Sequence, residues 1–319
     1  MTQFDIFNGD ADGICALIQL RLAEPRNSTL ITGVKRDIKL VRKANAKAGD
    51  ELTVLDISME KNTDALIAAL EAGASVFYAD HHRAGDIPEH SALEAHINTA
   101  SNTCTGLIVD YYLKGQYRLW AIVAAYGDNI TQVADEYANQ EGLSDEQRNL
   151  LKKLGVAMNY NGYGNSEDDL YYPPAELFRL ASPYKTPFDF IEGEPEVFRT
   201  LTEGYEEDME KGMAIAADRE SAVAAMITLP DEAWARRVSG VLGNELANQY
   251  PDRAHAILTE VPGTENFMIS IRAPKTNANG ADVIATHFGG GGRKNAAGIN
   301  EISPAQIDEF WQMLEVTYA

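Results

Sequence analysis

The sequence predicts an α/β protein in two parts: an N-terminal domain on a parallel sheet and a smaller C-terminal α/β module. Three observations carry this. Over residues 1–90, strand patterns alternate with helical patterns, the signature of βαβ units. The strand patterns are near-continuous apolar runs rather than alternating ones, as expected where helices cover both faces of a sheet. A composition break then separates the halves: residues 192–210 hold eight carboxylates and one base, Arg199. The length of 319 residues suits two domains, at roughly 100–200 residues each.

Taken in order, Phe4–Phe7 reads as a first strand and Gly13–Leu22 as a helix with Ile14, Leu17, Ile18 and Leu22 at helical spacing. Ser28–Val34 and Glu51–Ile57 read as strands, Asn62–Ala72 as a helix stopped at Gly73, and Ala74–Ala79 as a fourth strand. The stretch 103–185 is mostly helical, over Thr105–Leu113, Leu119–Ala125, Asp145–Met158 and Ala175–Ala181. The acidic stretch after it reads as a solvated connector helix. In the last hundred residues, strands are expected at Ala222–Leu229, His255–Val261, Phe267–Arg272 and Ala297–Ile302. Helices are expected at Asn244–Gln249, Ala281–Phe288 and Ile307–Tyr318. The domains are therefore placed at 1–190 and 221–319, joined by an acidic helical connector at 191–220.

Composition narrows the function. The balance of 45% hydrophobic and 24% charged residues is that of a globular protein, not a disordered one. No apolar run approaches the ~18–20 residues of a bilayer span, and the N-terminus lacks the basic and apolar regions of a signal peptide. With only Cys15 and Cys104, the chain has no disulfide framework, which fits a reducing cytoplasm. A net charge of −21 argues against binding long nucleic acid, which needs a basic footprint. A polyanion could still be handled locally if metal ions supplied positive charge.

Four acidic or histidine signals fall at element ends. Asp10-Ala11-Asp12-Gly13 follows the first strand and opens a helix; two carboxylates at i and i+2 on an extended segment project to the same side. Asp56 closes the third strand, and Asp80-His81-His82 closes the fourth. Asp128 ends an apolar helix. In an open parallel sheet the carboxyl ends of neighbouring strands form the functional crevice, so these groups should converge. So many carboxylates repel one another unless divalent cations neutralise them, and carboxylates with imidazoles suit Mn²⁺ or Mg²⁺. A pair of such ions ~3.5–4 Å apart is the usual apparatus for hydrolysing phosphate esters. In the C-terminal module, Gly289–Gly292 could bring backbone N–H groups close to a phosphate, with Arg272, Arg293 and Lys294 as charged donors.

The ordered set Asp10-Ala11-Asp12-Gly13, Asp56, Asp80-His81-His82 and Asp128 resembles the four motifs of the DHH phosphoesterase family. Ser270-Ile271-Arg272 and the stretch from Gly289 through Gly290, Gly291, Gly292, Arg293 and Lys294 to Gly298 resemble that family's C-terminal substrate-binding domain. The resemblance implies a two-metal hydrolase, usually with Mn²⁺ and with Mg²⁺ as the alternative, whose active site lies in the cleft between the two domains. By it, Asp10 would bind the first metal and Asp12 the second, Asp56 would bridge both, and His81 and Asp128 would complete the second site. Asp80 would ligate a metal or support a ligand, and His82 would polarise the scissile phosphate or hold a ligand. The chain departs from the family in having Asn8 where many members carry a histidine, and Arg293 where the glycine-rich signature usually ends in one.

The function expected is hydrolysis of short oligonucleotides, linear dinucleotides or nucleotide 3′,5′-bisphosphates by a cytoplasmic enzyme, with a homodimer compatible with it. Two other readings stand beside it: a pyrophosphate- or polyphosphate-cleaving enzyme, and a degenerate nucleotide-binding regulatory protein.

Overall fold

The structure, a computed structural model, describes residues Met1–Ala319. The chain divides into two compact units, Met1–Gly204 and Tyr205–Ala319.

The first unit begins with β1 (Gln3–Phe7), α1 (Ala11–Ala23), β2 (Thr29–Ile31), β3 (Glu51–Leu55), α2 (Thr63–Glu71), β4 (Ser75–Asp80) and β5 (Leu93–Ile97). These five strands form one all-parallel sheet in the order β2-β1-β3-β4-β5. Helices α3 (Thr105–Tyr112), α4 (Arg118–Gly127), α5 (Thr131–Gln140), α6 (Asp145–Asn161), α7 (Pro174–Ala181) and α8 (Pro187–Gly193) follow, then α9 (Pro195–Ala214).

The sheet is buried on both faces because successive side chains alternate. Ile6, Leu52, Val54 and Tyr78 enter one core with Leu66 and Leu70 of α2. Phe7, Leu55 and Ala79 enter the other, with α1 and a helical layer centred on Trp120 of α4, whose relative exposure is 0%. The order 2-1-3-4-5 reverses direction between β1 and β3, where the crevice of an open α/β sheet opens.

The second unit has a mixed sheet, ordered β10-β11-β9-β8-β7-β6. Its elements are β6 (Arg219–Glu220), β7 (Ala224–Leu229), α10 (Ala233–Gln249), β8 (Ala254–Glu260), β9 (Phe267–Arg272), α11 (Ala281–His287), β10 (Gly291–Arg293), β11 (Ala296–Ile302) and α12 (Ile307–Tyr318). One face is covered by α11 and α12 through Ile284, Phe310 and Leu314. The other is covered by α10 through Val238, Leu242 and Leu246.

Three elements differ from expectation. The second strand is only three residues, so Thr32–Val34 have left the sheet and the chain there is free to turn toward the crevice. Helix α10 runs 17 residues, well beyond the short helix expected at Asn244–Gln249, and holds Ser239, Gly240 and Gly243 inside it. The acidic segment forms α9, inside which the division between units falls, and it is not wholly solvated. Leu201, Thr202 and Asp208 are buried, and Asp208 pairs with Arg237 of α10 at 2.8 Å. No helix is long and apolar enough to cross a membrane.

Candidate metal centre

Because the sheet is parallel, β1, β3 and β4 deliver Asp10 and Asp12, Asp56, and Asp80-His81-His82 to one edge of it. Asp128, the residue that ends α4, joins them. Asp10 is the N-cap of α1: its Oδ1 accepts the N–H groups of Asp12 and Gly13 at 3.0 and 3.2 Å. Asp12 caps a second helix from a distance. Its two carboxylate oxygens accept the backbone N–H groups of Thr105 and Gly106, each at 2.7 Å, at the start of α3. A carboxylate there also meets the positive end of the helix dipole. Thr105 therefore serves the site with its N–H, and its hydroxyl lies 3.3 Å from Asp56 Oδ1.

Asp56 sits at φ 57°, a left-handed conformation that aspartate tolerates better than most residues. Its N–H is held by the Ala79 carbonyl at 3.1 Å, so the strained turn is fastened to β4.

His81 is the hub. Its Nε2 lies 3.4 Å from Asp56 Oδ1, 3.5 Å from Asp128 Oδ2 and 3.8 Å from Asp12 Oδ2. These separations exceed ordinary hydrogen bonds of about 2.7–3.2 Å. They match donors around a cation at about 2.0–2.1 Å, whose ligands stand ~3–4 Å apart. Asp12, His81 and Asp128 offer one such set of ligand atoms, and Asp56, His81 and His82 offer another. Both sets include His81.

The electrostatics point the same way. Burial, then the charges of Asp10, Asp12, Asp128 and Asp80, push the Asp56 carboxyl well above the usual carboxylate range. Burial and the Asp12 and Asp10 charges raise Asp128 to about 6, against the pull of Lys35 and His81. Asp80 is fully buried; one oxygen meets His82 Nδ1 at 2.8 Å and the other has no hydrogen-bond partner. The bond from Asp80 raises the His82 pKa above its ordinary value. Crowded carboxylates, an orphaned oxygen and an imidazole at ligand distance are the donor set of a divalent cation, and the residues fit one.

Asp10 is engaged otherwise. Its Oδ2 takes the ammonium of Lys35 at 2.5 Å, and Lys35 also donates to Asn159 Oδ1 at 2.8 Å. Burial pushes the Asp10 carboxyl up, but the Lys35 charge and hydrogen bonds outweigh it and hold it below the ordinary value. Asn8 donates Nδ2 to the Lys35 backbone carbonyl at 3.2 Å, while its buried Oδ1 has no hydrogen-bond partner. Lys35 and Asn159 were missed in the sequence. Lys35 follows β2, so its place just past a strand end was the available signal; Asn159, deep in a helix, carried none.

Arg272 is not an open donor: its guanidinium bonds Asn244 Oδ1, Ser270 Oγ and the Gly240 carbonyl, bracing β9 to α10. The glycine run is loop at Gly289 and Gly290 and strand from Gly291 onward. Gly291–Arg293 form an edge strand paired antiparallel with Ala296–Gly298. A Cβ on Gly290 would stand 2.1 Å from the Gly298 carbonyl oxygen and one on Gly292 2.5 Å from Ala297 Cα, so these two glycines serve close approach. Arg293 and Lys294, at the hairpin tip, are exposed.

No family model matches the chain, and no curated protein matches it. Solved structures do. An exonuclease RecJ bound to manganese matches with TM-score 0.67 at 14% identity, over 99% of this chain and 90% of that one. The pGpG-specific phosphodiesterase PggH from Vibrio cholerae matches with TM-score 0.57 at 13% identity, over 100% of this chain and 99% of that one. RecJ from Thermus thermophilus in complex with Mn²⁺ matches with TM-score 0.58 at 14% identity, over 99% of this chain but 52% of its own length. The parallel sheet that carries the acidic edge and the mixed sheet that follows it therefore belong to the fold that these RecJ and PggH structures share.

Proposed function

We propose that this chain is a divalent-cation-dependent phosphoesterase acting on short oligonucleotides, linear dinucleotides or nucleotide 3′,5′-bisphosphates. The observation that carries it is the convergence of Asp12, Asp56 and Asp128 on His81 Nε2 at 3.4–3.8 Å. Mn²⁺ is the favoured ion, because an imidazole among carboxylates suits it better than Mg²⁺. The RecJ structures bound to manganese support that choice.

When bound, the ion supplies Lewis acidity toward a phosphoryl oxygen and a more acidic water. The protein's own groups do the rest. The N–H groups of Thr105 and Gly106 fix the orientation of the Asp12 carboxylate through both of its oxygens. Asp80 holds His82 by Nδ1, leaving Nε2 of a half-exposed ring to donate to a phosphate or to protonate the leaving oxygen. Arg293 and Lys294 are proposed to hold a substrate phosphate in the second unit. The charge of −21 supports a short substrate over a long strand, and two buried, free cysteines support a reducing cytoplasm.

The test is a Mn²⁺-dependent hydrolysis screen over pGpG, a trinucleotide, a nucleotide 3′,5′-bisphosphate and pyrophosphate. Asp56→Asn, which removes a charge from the centre, is the control. Cleavage of a nucleotide substrate that needs Mn²⁺ and is lost in Asp56→Asn is expected. No turnover of any of them, or turnover unchanged in Asp56→Asn, overturns the reading.

A further inference from the structure

Lys35 is fastened by its backbone on both sides. Its N–H donates to the Gly162 carbonyl at 2.8 Å, and its carbonyl accepts Asn8 Nδ2 at 3.2 Å. From there the side chain reaches three oxygens on three different segments: Asp10 Oδ2 at 2.5 Å, Asn159 Oδ1 at 2.8 Å and Asp128 Oδ1 at 3.9 Å. That is a cation cage, and its cation is an ammonium. Asp10 meanwhile spends Oδ1 on the N–H groups of Asp12 and Gly13. Neither set of metal-compatible donors includes Asp10, and both depend on His81.

We propose that the ammonium of Lys35 stands in the place of a second divalent cation, so that the chain binds one ion, among the donors gathered about His81. This rests on the reading of the site as a metal centre. Lys35 neutralises the Asp10 side of the acidic crowd as a fixed single charge with three N–H donors. It cannot lend Lewis acidity to a water, so activation of the nucleophile falls to the ion side alone. A second divalent ion would have to displace the ammonium from Asp10 or sit beside it. Asn8 is the positioning residue for this arrangement, since its side-chain amide holds the Lys35 backbone.

Counting metal on the full chain tests this without turnover. The protein is stripped with chelator and dialysed against Mn²⁺, and bound ions are counted by elemental analysis and native mass spectrometry. One ion per wild-type chain is expected. Lys35→Met, which leaves the three cage oxygens without a cation, should bind two. Lys35→Arg, which restores the charge, should return to one. Circular dichroism checks that each variant is folded. Two ions on the wild type overturn the inference and leave the metal-centre reading standing. One ion on both wild type and folded Lys35→Met also overturns it. No bound ion on the wild type overturns the metal-centre reading itself, and this inference with it. If Lys35→Met fails to fold, the wild-type count and Lys35→Gln decide.

Discussion

The carboxylate of Asp12, in the first turn of α1, accepts the backbone N–H of Gly106 at 2.7 Å across 94 residues of sequence. That bond ties the acidic edge of the sheet to the first turn of α3. It is possible only because position 106 has no side chain. A Cβ there would lie 2.5 Å from Ala124 Cβ and 3.2 Å from Asp12 Oδ1.

Gly106→Ala should therefore push α3 off both α4 and Asp12. Overpacking of this kind costs about 1–3 kcal/mol. Urea unfolding should show a loss in that range, and Mn²⁺ affinity by calorimetry should fall about tenfold or more, a ligand misplaced by one lost bond of about 1.5 kcal/mol or more. Unchanged affinity would detach Asp12 from the metal centre.

The pH dependence of the metal-free protein follows from Asp128. Its folded-state pKa of about 6 lies above the ordinary 3.8, so the folded state holds the proton more tightly than the unfolded one. The stability this gives is complete below pH 4 and is lost as pH rises to 6, on the order of 2–3 kcal/mol. Asp128→Asn, which cannot ionise, should be the more stable protein in chelator at pH 7 and should lose that advantage at pH 4. Denaturant melts at the two pH values check it. An advantage of equal size at both would mean that packing, not charge, sets it.

The Asp80–His82 pair makes a separate prediction. His82 is raised chiefly by its bond to Asp80, so Asp80→Asn should bring its titration, followed by NMR of the ring, back toward 6.5. If His82 donates a proton in turnover, the alkaline limb of the kcat profile should move down with it. A profile that stays in place while the NMR titration moves would remove His82 from the chemistry.

Arg272 and Arg293 should separate cleanly. Loss of the Arg272 brace between β9 and α10 should cost about 1–3 kcal/mol of stability in the second unit, with KM unchanged. Arg293→Ala, at an exposed position, should leave stability alone. It should lower kcat/KM roughly 10- to 100-fold through KM, the value of a charge-assisted contact. The opposite pattern would exchange their roles.

Much of the centre was legible because a parallel sheet turns sequence order into spatial order. A carboxylate or histidine just past an apolar strand must arrive at one edge, so Asp10, Asp12, Asp56 and Asp80-His81-His82 could be placed together from their positions alone. Asp128 could be added because it ends a helical run. For the glycine run and Arg272 the sequence leaves two roles open, because their chemistry suits phosphate equally well as it suits packing. Only the sheet register shows Gly291 and Gly292 opposite Gly298 and Ala297, and only the α10 contacts show Arg272 occupied.

By itself, then, the sequence determined the α/β class, the two halves and the acidic edge, because hydrophobic period and strand-end position are local properties of the chain. Tertiary structure alone decided which charges meet. Lys35 is 25 residues from Asp10 and 124 from Asn159, and nothing in a local pattern sets an ammonium between them. That meeting depends on β2 ending after three residues beside β1, and on α6 packing near the same edge. A short strand and a helix packing thus settle what no periodicity encodes: which carboxylate of the motif meets a lysine.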